Sequence, residues 1–119
     1  MNAQPGPRAL VPVADGTEEI EAVCIIDVLR RAAVDVTVAG VGPGGARAAS
    51  LELRASRGVR LVADVHLEDV TGVAWDAVLL PGGMPGAAHL RDCAALATLL
   101  AAQDAAGRLV GAICAAPVV

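Results

Sequence analysis

A thiol, a carboxyl and a pair of glycines are the groups in this chain whose settings could support chemistry. Cys114 closes the apolar run Leu109-Val110-Gly111-Ala112-Ile113, and Ala115-Ala116-Pro117 follows. This pattern predicts a buried strand running into a sharp turn, with a helix about to begin. A free thiol has a pKa of about 8.5, and at a helix N-terminus it can fall to ~3.5–7.5. Cys114 could then be a thiolate nucleophile, a nucleophile elbow in miniature. The competing reading is an inert cysteine in a small-residue packing site. Glu21 lies in a predicted helix. At ~100° per residue it shares a stripe with Ile25, Val28 and Ala32, opposite Asp27, Arg30 and Arg31. An acid on an apolar stripe is partly desolvated, which favours its protonated form. Such a carboxyl could donate a hydrogen bond to a thiolate or shuttle a proton. The alternative is a first-turn glutamate that complements the helix dipole, the part expected of Glu18 and Glu19. Gly82-Gly83 follows a buried strand and would let backbone N–H groups approach an oxyanion. A plain tight turn explains the pair equally well.

The other reactive side chains are read as ordinary. Cys24 lies within a helix and Cys93 at a helix start, as packing or surface thiols. His66 and His89 are isolated and expected at the surface. Asp27 and Arg31, four apart, make a solvated helix pair. The arginines between 47 and 60 line a solvated face or, on the sharper reading, an interface.

Composition bounds the rest. The 119 residues make one domain, 55% apolar and 18% charged, so the chain is globular and not disordered. Trp75 is the only aromatic residue, so the core must be built from Val, Leu, Ile and Ala. All nine basic residues are arginine, and the net charge of -4 supplies no basic patch for nucleic acid. Three cysteines at irregular spacing, without a CxxC, fit a reducing compartment and no metal site. Gly82-Gly83 matches neither GxGxxG nor a P-loop, so no cofactor is indicated. No secretory h-region and no membrane-length apolar run is visible, so an intracellular, cytoplasmic protein is expected.

The positioning elements follow from periodicity. Residues 1–7 read as a flexible tail, ahead of one α/β domain over 8–119. Ala9 to Ala14 is a first strand, whose regular pairing is expected to end near Val11 because Pro12 lacks a donor. Asp15 with Glu18 fits a capping box for a helix from Glu18 to about Ala32. Val34 to Ala39 is a second strand, Gly40 to Gly45 a glycine-rich loop, and residues 50–63 short strands or a hairpin. Asp64 to Asp69 is expected as a brief turn. Ala77 to Leu80 is a short strand buried on both faces. Asp92 is the expected N-cap of a helix from Cys93 to about Ala106, closed by Gly107. Alternating strands and helices predict a parallel α/β sheet, whose ligands bind beyond the strands' carboxyl ends. Asp15 to Glu21, Gly82-Gly83 and Cys114 all fall at such ends.

Taken together, these segments resemble the ThiJ/PfpI family of the class I glutamine amidotransferase-like superfamily, and its parkinsonism-associated deglycase branch in particular. The resemblance spans Arg8 to Val119. It is carried by Arg8-Ala9-Leu10-Val11, Glu18-Glu19-Ile20-Glu21-Ala22-Val23, Asp27-Val28-Leu29-Arg30-Arg31-Ala32, Val36-Thr37-Val38-Ala39-Gly40, Leu80-Pro81-Gly82-Gly83 and Ala112-Ile113-Cys114-Ala115-Ala116-Pro117. It implies a flavodoxin-like fold, a parallel sheet sandwiched by helices. It also implies that Cys114 is the reactive, oxidation-prone cysteine and that Glu21 hydrogen-bonds its sulfur. Gly83 and Ala115 match positions whose amides form an oxyanion pocket. Arg31 and Arg57 match arginines near the cysteine across a homodimer interface, and Gly82 neighbours them. The implied activity is cofactor-free: glyoxalase III-like conversion of methylglyoxal to lactate, or removal of early glyoxal adducts. The family is also associated with oxidative-stress sensing through the same thiol. The family's later histidine has no counterpart here, since neither His66 nor His89 matches it, and the expectation is a domain truncated at its C-terminus. A cysteine-dependent glyoxalase or deglycase acting on a small aldehyde or glycated substrate is therefore the first expectation. A redox-responsive or chaperone-like homodimer and an inactive fragment are the alternatives.

Overall fold

Alternation along the first strand divides the core in two. The structure, a computed structural model, describes residues 6–119. Strand β1 (Arg8–Ala14) turns Leu10 and Ala14 to one face and Ala9, Val11 and Val13 to the other. Every one of these side chains is buried. Burying each larger one is worth about 1.5–3 kcal/mol, so this strand anchors the domain. Strand β2 (Asp35–Val41) splits likewise, with Ala39 and Val41 on the first face and Val36 and Val38 on the second. The remaining sheet strands are β5 (Val65–His66), β6 (Ala77–Leu80) and β7 (Leu109–Ala112). Their order is β5-β2-β1-β6-β7, with all neighbours parallel. Strands β3 (Glu52–Arg54) and β4 (Arg60–Val62) form a separate antiparallel hairpin.

Helix α1 (Glu19–Arg31) covers the second face with Ala22, Ile25, Ile26 and Leu29. Acids in its first turn and arginines in its last complement the dipole. Helices α2 (Gly86–Arg91) and α3 (Ala94–Ala105) cover the first face through Leu90, Leu96 and Leu99. The result is the flavodoxin-like α/β sandwich. Chain order reverses around β1, since β2 lies on one side and β6 on the other. A crevice at the carboxyl ends of β1, β6 and β7 is the expected product.

Several local expectations need correction. Pairing of β1 continues past Pro12, which sits opposite Ala39, to Ala14 opposite Val41. The register with β6 covers only Ala9 and Leu10, so at the proline only one ladder partner is present. Asp15 does not cap α1. Its Oδ1 accepts from Arg54 N–H at 2.9 Å, while Glu18 is the N-cap and accepts from Ile20 N–H at 3.1 Å. The expected turn after Asp64 holds strand β5, two residues long and below the reach of periodicity. Asp92 does not cap the last helix. It ends α2, a six-residue helix hidden in the Pro/Gly-rich segment, and pairs with Arg91. Residues 1–5 of the expected tail lie outside the described residues, and the Pro7 carbonyl already accepts from Asp35 N–H.

The largest correction concerns β7. The apolar run predicts a buried strand, yet Leu109 is 62% exposed, and Val110 and Ile113 are exposed too. Among the described residues β7 has one neighbour, β6, so half of its edge and much of its faces meet solvent. Gly107 closes α3 at φ +69°, as its position predicts.

Candidate functional site

Cys114 occupies the turn immediately after β7, at φ +58°. A left-handed conformation at a residue with a Cβ costs of order 1–3 kcal/mol, and such strain clusters at functional sites. Two hydrogen bonds hold it, Ile113 N–H to the Leu80 carbonyl at 3.2 Å and Ala116 N–H to the Ile113 carbonyl at 2.9 Å. The consequence is a thiol side chain that is exposed at the strand's end. The helix expected next is a single 3-10 turn over Ala116–Val118.

Gly82 marks the point where the three parts of the site meet. Its N–H donates to Glu21 Oε1 at 2.8 Å. A Cβ on Gly82 would lie 2.7 Å from Glu21 Oε1, 2.8 Å from the Ile113 oxygen and 2.9 Å from the Ala115 nitrogen. Gly82 therefore lies between the Glu21 carboxyl on one side and the backbone flanking Cys114 on the other. Only glycine leaves that space open. Oε1 is taken up by the Gly82 bond, which leaves the other carboxyl oxygen outside it. Val28 and Ala32, assigned to the Glu21 stripe from the sequence, are exposed, and the face packed on the core runs through buried Ala22 and half-buried Ile25, Ile26 and Leu29. Glu21 is half-buried at the border of that face, because it faces the crevice and not the core.

The loop after β6 is rigid by close packing. Gly83 has φ +94°, and a Cβ there would fall 2.4 Å from Glu18 N. A Cβ on Gly86 would fall 2.5 Å from Thr17 N, and one on Gly16 would fall 2.5 Å from the Pro85 ring. Glu18 N–H donates to the Gly82 carbonyl at 2.9 Å. The loop and the β1–α1 turn thus touch backbone to backbone. Among the described residues, the N–H groups of Gly83 and Ala115 donate to no backbone or side-chain acceptor. Both residues line one cavity of about 650 Å³ with Cys114, Glu18, Ile20, Glu21, Ser56, Arg57 and Met84. Unspent donors beside a thiol are the components an oxyanion site requires.

The β3–β4 hairpin brings Ser56 and the one arginine of the lining, Arg57, to the cavity. Glu19 is buried and accepts from Arg57 N–H at 2.7 Å and from Val59 N–H at 3.2 Å. The Ser56 hydroxyl lies 2.9 Å from Glu19 Oε1 and 3.0 Å from Glu18 Oε2, one proton between two carboxyls. Desolvation by burial pushes the Glu19 carboxyl up. Hydrogen bonds from its own backbone, Ser56, Val59 and Arg57 outweigh it, and the net shift is downward. Gly16 N–H to the Arg54 carbonyl and Ser56 N–H to the Thr17 carbonyl complete the seam. Glu19 is the first-turn acid expected from the sequence, and being buried it has a second part. It fixes the loop that carries Arg57 into the cavity wall.

The structure brings together Cys114, Glu21, Gly82, Gly83, Ala115 and Arg57. It does not bring Arg31 to them: that guanidinium is exposed and paired with Asp27 at 2.9 Å. Cys24 is exposed on α1, and Cys93 is buried in the core beside α3. His89 is half-buried and accepts from Gly44 N–H at 3.1 Å, so it is not a plain surface residue. His66 is half-buried as well, with Nδ1 buried and unpartnered. Sequence reasoning passed over Ser56, Ile20 and Met84, which carry no spacing signal. Among the described residues no three His, Cys, Asp or Glu side chains gather as metal ligands, and no helix is long and apolar enough to cross a membrane.

Comparison with known proteins places this arrangement. The family model described as DJ-1/PfpI family matches residues 7–119. The chain is 46% identical over 110 residues to protein DJ-1 homolog B of Arabidopsis thaliana, covering 92% of this chain and 24% of that protein. It is 38% identical over 119 residues to a Caenorhabditis elegans protein named glutathione-independent glyoxalase, covering 100% of this chain and 59% of that one. Among solved structures, oxidized Toxoplasma gondii DJ-1 superposes with a TM-score of 0.87 at 46% identity, over 94% of this chain and 58% of that chain. The Drosophila melanogaster DJ-1beta crystal structure superposes with a TM-score of 0.85 at 40% identity, over 94% and 57%. The chain thus spans less than two thirds of the length of each of these relatives.

Proposed function

The chain belongs to the DJ-1/PfpI family, and on that premise we propose that it is a cysteine-dependent, cofactor-free glyoxalase or deglycase acting on methylglyoxal or its early adducts. The observation that carries this reading is the convergence at Gly82. One glycine position is shared by the carboxyl of Glu21 and the backbone on both sides of a strained, exposed cysteine. The C. elegans relative named glutathione-independent glyoxalase points to the same reaction class.

In this reading the Cys114 sulfur, after losing its proton, adds to the aldehyde carbon. The carbonyl oxygen gains the negative charge, which the N–H groups of Gly83 and Ala115 are placed to receive. Protonation gives a hemithioacetal. Glu21 removes the proton from the former aldehyde carbon and returns one to the neighbouring carbon, which turns the adduct into a thioester of the 2-hydroxy acid. Water then releases lactate and restores the thiol, with no external oxidant or reductant. Deglycation would start from the same attack on an early adduct.

We further place the protein in a reducing compartment such as the cytoplasm, since its three cysteines are free. A second copy of the chain is the proposed partner. Ile20, Val23 and Val28 on α1 and Val59 and Val62 on the hairpin are exposed apolar residues that such a copy would cover, with Arg31 among them. Oxidation of the exposed Cys114 is a second use of the same thiol, in keeping with the oxidized state of the Toxoplasma neighbour.

The test is consumption of methylglyoxal by the purified protein without glutathione. Cys114→Ser is expected to bring the rate to background, and Glu21→Gln to lower it about a hundredfold. Undiminished turnover in Cys114→Ser would overturn the proposal.

A further inference from the structure

Met84 lies within Pro81-Gly82-Gly83-Met84-Pro85-Gly86, the rigid loop that backs the cavity. Its neighbours leave it little freedom. Gly83 and Gly86 pack against the backbone of Gly16–Glu18, and the Pro85 ring packs against Gly16. The side chain between them is 57% exposed and lines the same cavity as Cys114. More than half of this long apolar side chain is left in water at the cavity.

The cavity walls differ in character. Glu18, Glu21, Ser56 and Arg57 make a polar side, and Met84 and Ile20 supply its larger apolar side chains. Methylglyoxal, with three carbons, fills only a small part of about 650 Å³. The space left over is bounded in part by an exposed thioether. Methionine is unbranched and polarizable, so it adapts to flat or irregular apolar groups.

We infer that Met84 is a specificity-determining residue, selecting electrophiles whose non-reacting end is an apolar arm larger than methyl, such as a 2-oxoaldehyde carrying a phenyl group. This inference rests on Cys114 being the group that meets the substrate, as in the proposed function, but it does not require turnover.

The experiment compares two alkylating reagents, 2-chloroacetamide and N-benzyl-2-chloroacetamide, read by peptide mass spectrometry on the intact chain. In each case the sulfur displaces chloride: an S–C bond forms, the C–Cl bond breaks, and the thiol proton passes to solvent. N-acetylcysteine in the same solution is the reference thiol. The benzyl-to-plain rate ratio at Cys114 is expected to exceed that at the reference thiol about tenfold, the scale of one or two buried methylenes. Met84→Ser should bring the two ratios together, and Met84→Leu should keep them apart. Equal ratios in the unmodified chain, or an unchanged Cys114 ratio in Met84→Ser, would overturn the inference. Turnover is measured separately with methylglyoxal and phenylglyoxal. Preferential labelling without turnover of either aldehyde would count against the proposed function alone. Turnover without preferential labelling would count against the role of Met84 alone.

Discussion

Strands β1 and β7 both end at the candidate site, and they are opposites. Strand β1 has neighbours on both sides and core on both faces, with Leu10, Val11 and Val13 fully buried. Among the described residues strand β7 has one neighbour, and Leu109, Val110 and Ile113 are exposed. The fixed parts of the site descend from β1 and from β6 beside it: the Gly16–Thr17 turn, the start of α1 and the Gly82–Gly86 loop. The thiol is delivered by the least covered strand in the sheet. The contrast teaches that site geometry and strand burial are separable. Gly82 binds Glu21 and packs beside the backbone that flanks Cys114, so both residues line one cavity although the strand beneath the thiol contributes little to the core.

This contrast can be broken by paired substitutions. Leu10→Ala removes a fully buried side chain from the centre of the sheet. It is expected to destabilise the fold by about 2–5 kcal/mol in denaturant melts. Next in size is Gly82→Ala, whose methyl would sit 2.7 Å from Glu21 Oε1 and 2.8 Å from the Ile113 oxygen. Forcing these groups apart is expected to cost about 1–3 kcal/mol and to lower methylglyoxal turnover at least tenfold. Normal turnover in this variant would mean that the Gly82 junction does not set the thiol's position.

A smaller effect sharpens the same comparison through the hairpin. The Glu19 carboxyl is held below its ordinary value of 4.5 in the folded chain. A group with a depressed folded pKa stabilises the fold above its unfolded pKa, and that contribution fades as pH falls through the folded value. Stability is therefore expected to decline as pH drops below about 4.5. Glu19→Gln should show a flatter acid limb in pH-dependent melts, and an unchanged limb would detach Glu19 from the hairpin seam. The smallest effect is expected from Leu109→Ala on β7, within about 0.5 kcal/mol, as at other exposed positions. A loss comparable to Leu10→Ala would show that β7 is covered in solution and would erase the contrast.

Legibility in the sequence followed the range of the interaction. The alternation of Val34, Val36 and Val38, the run Ala77–Leu80 and the stop at Gly107 each encode a local backbone preference, and each element is found there, although β2 runs on through Gly40 and Val41, which were expected in the loop. The turn at Cys114 was equally plain, whereas the burial of the strand before it and the helix after it were not. Misplaced elements had signals that pointed two ways. Asp15 is a good cap by residue type, but Arg54 N–H, 39 positions away, claims its carboxylate. Asp92 was taken from its expected helix by Arg91 beside it and by the short α2 before it. Strand β5, with two residues, is too short to show a period.

What the sequence by itself determined is the class of fold, the elements that carry Cys114, Glu21 and the glycine pair, and membership of a family through ordered motifs. These depend on side-chain type at short spacing, which a linear chain displays directly. Only the tertiary structure decided that Glu21 binds the Gly82 N–H beside the turn that carries the cysteine, that Glu19 seats Arg57 while Arg31 stays with Asp27, that Met84 lines the cavity, and that β7 has β6 as its one neighbour among the described residues. Those outcomes turn on which backbone atoms come within about 3 Å of one another across the sheet. Distances of that kind arise from the packing of whole elements, and no local pattern of residues contains them.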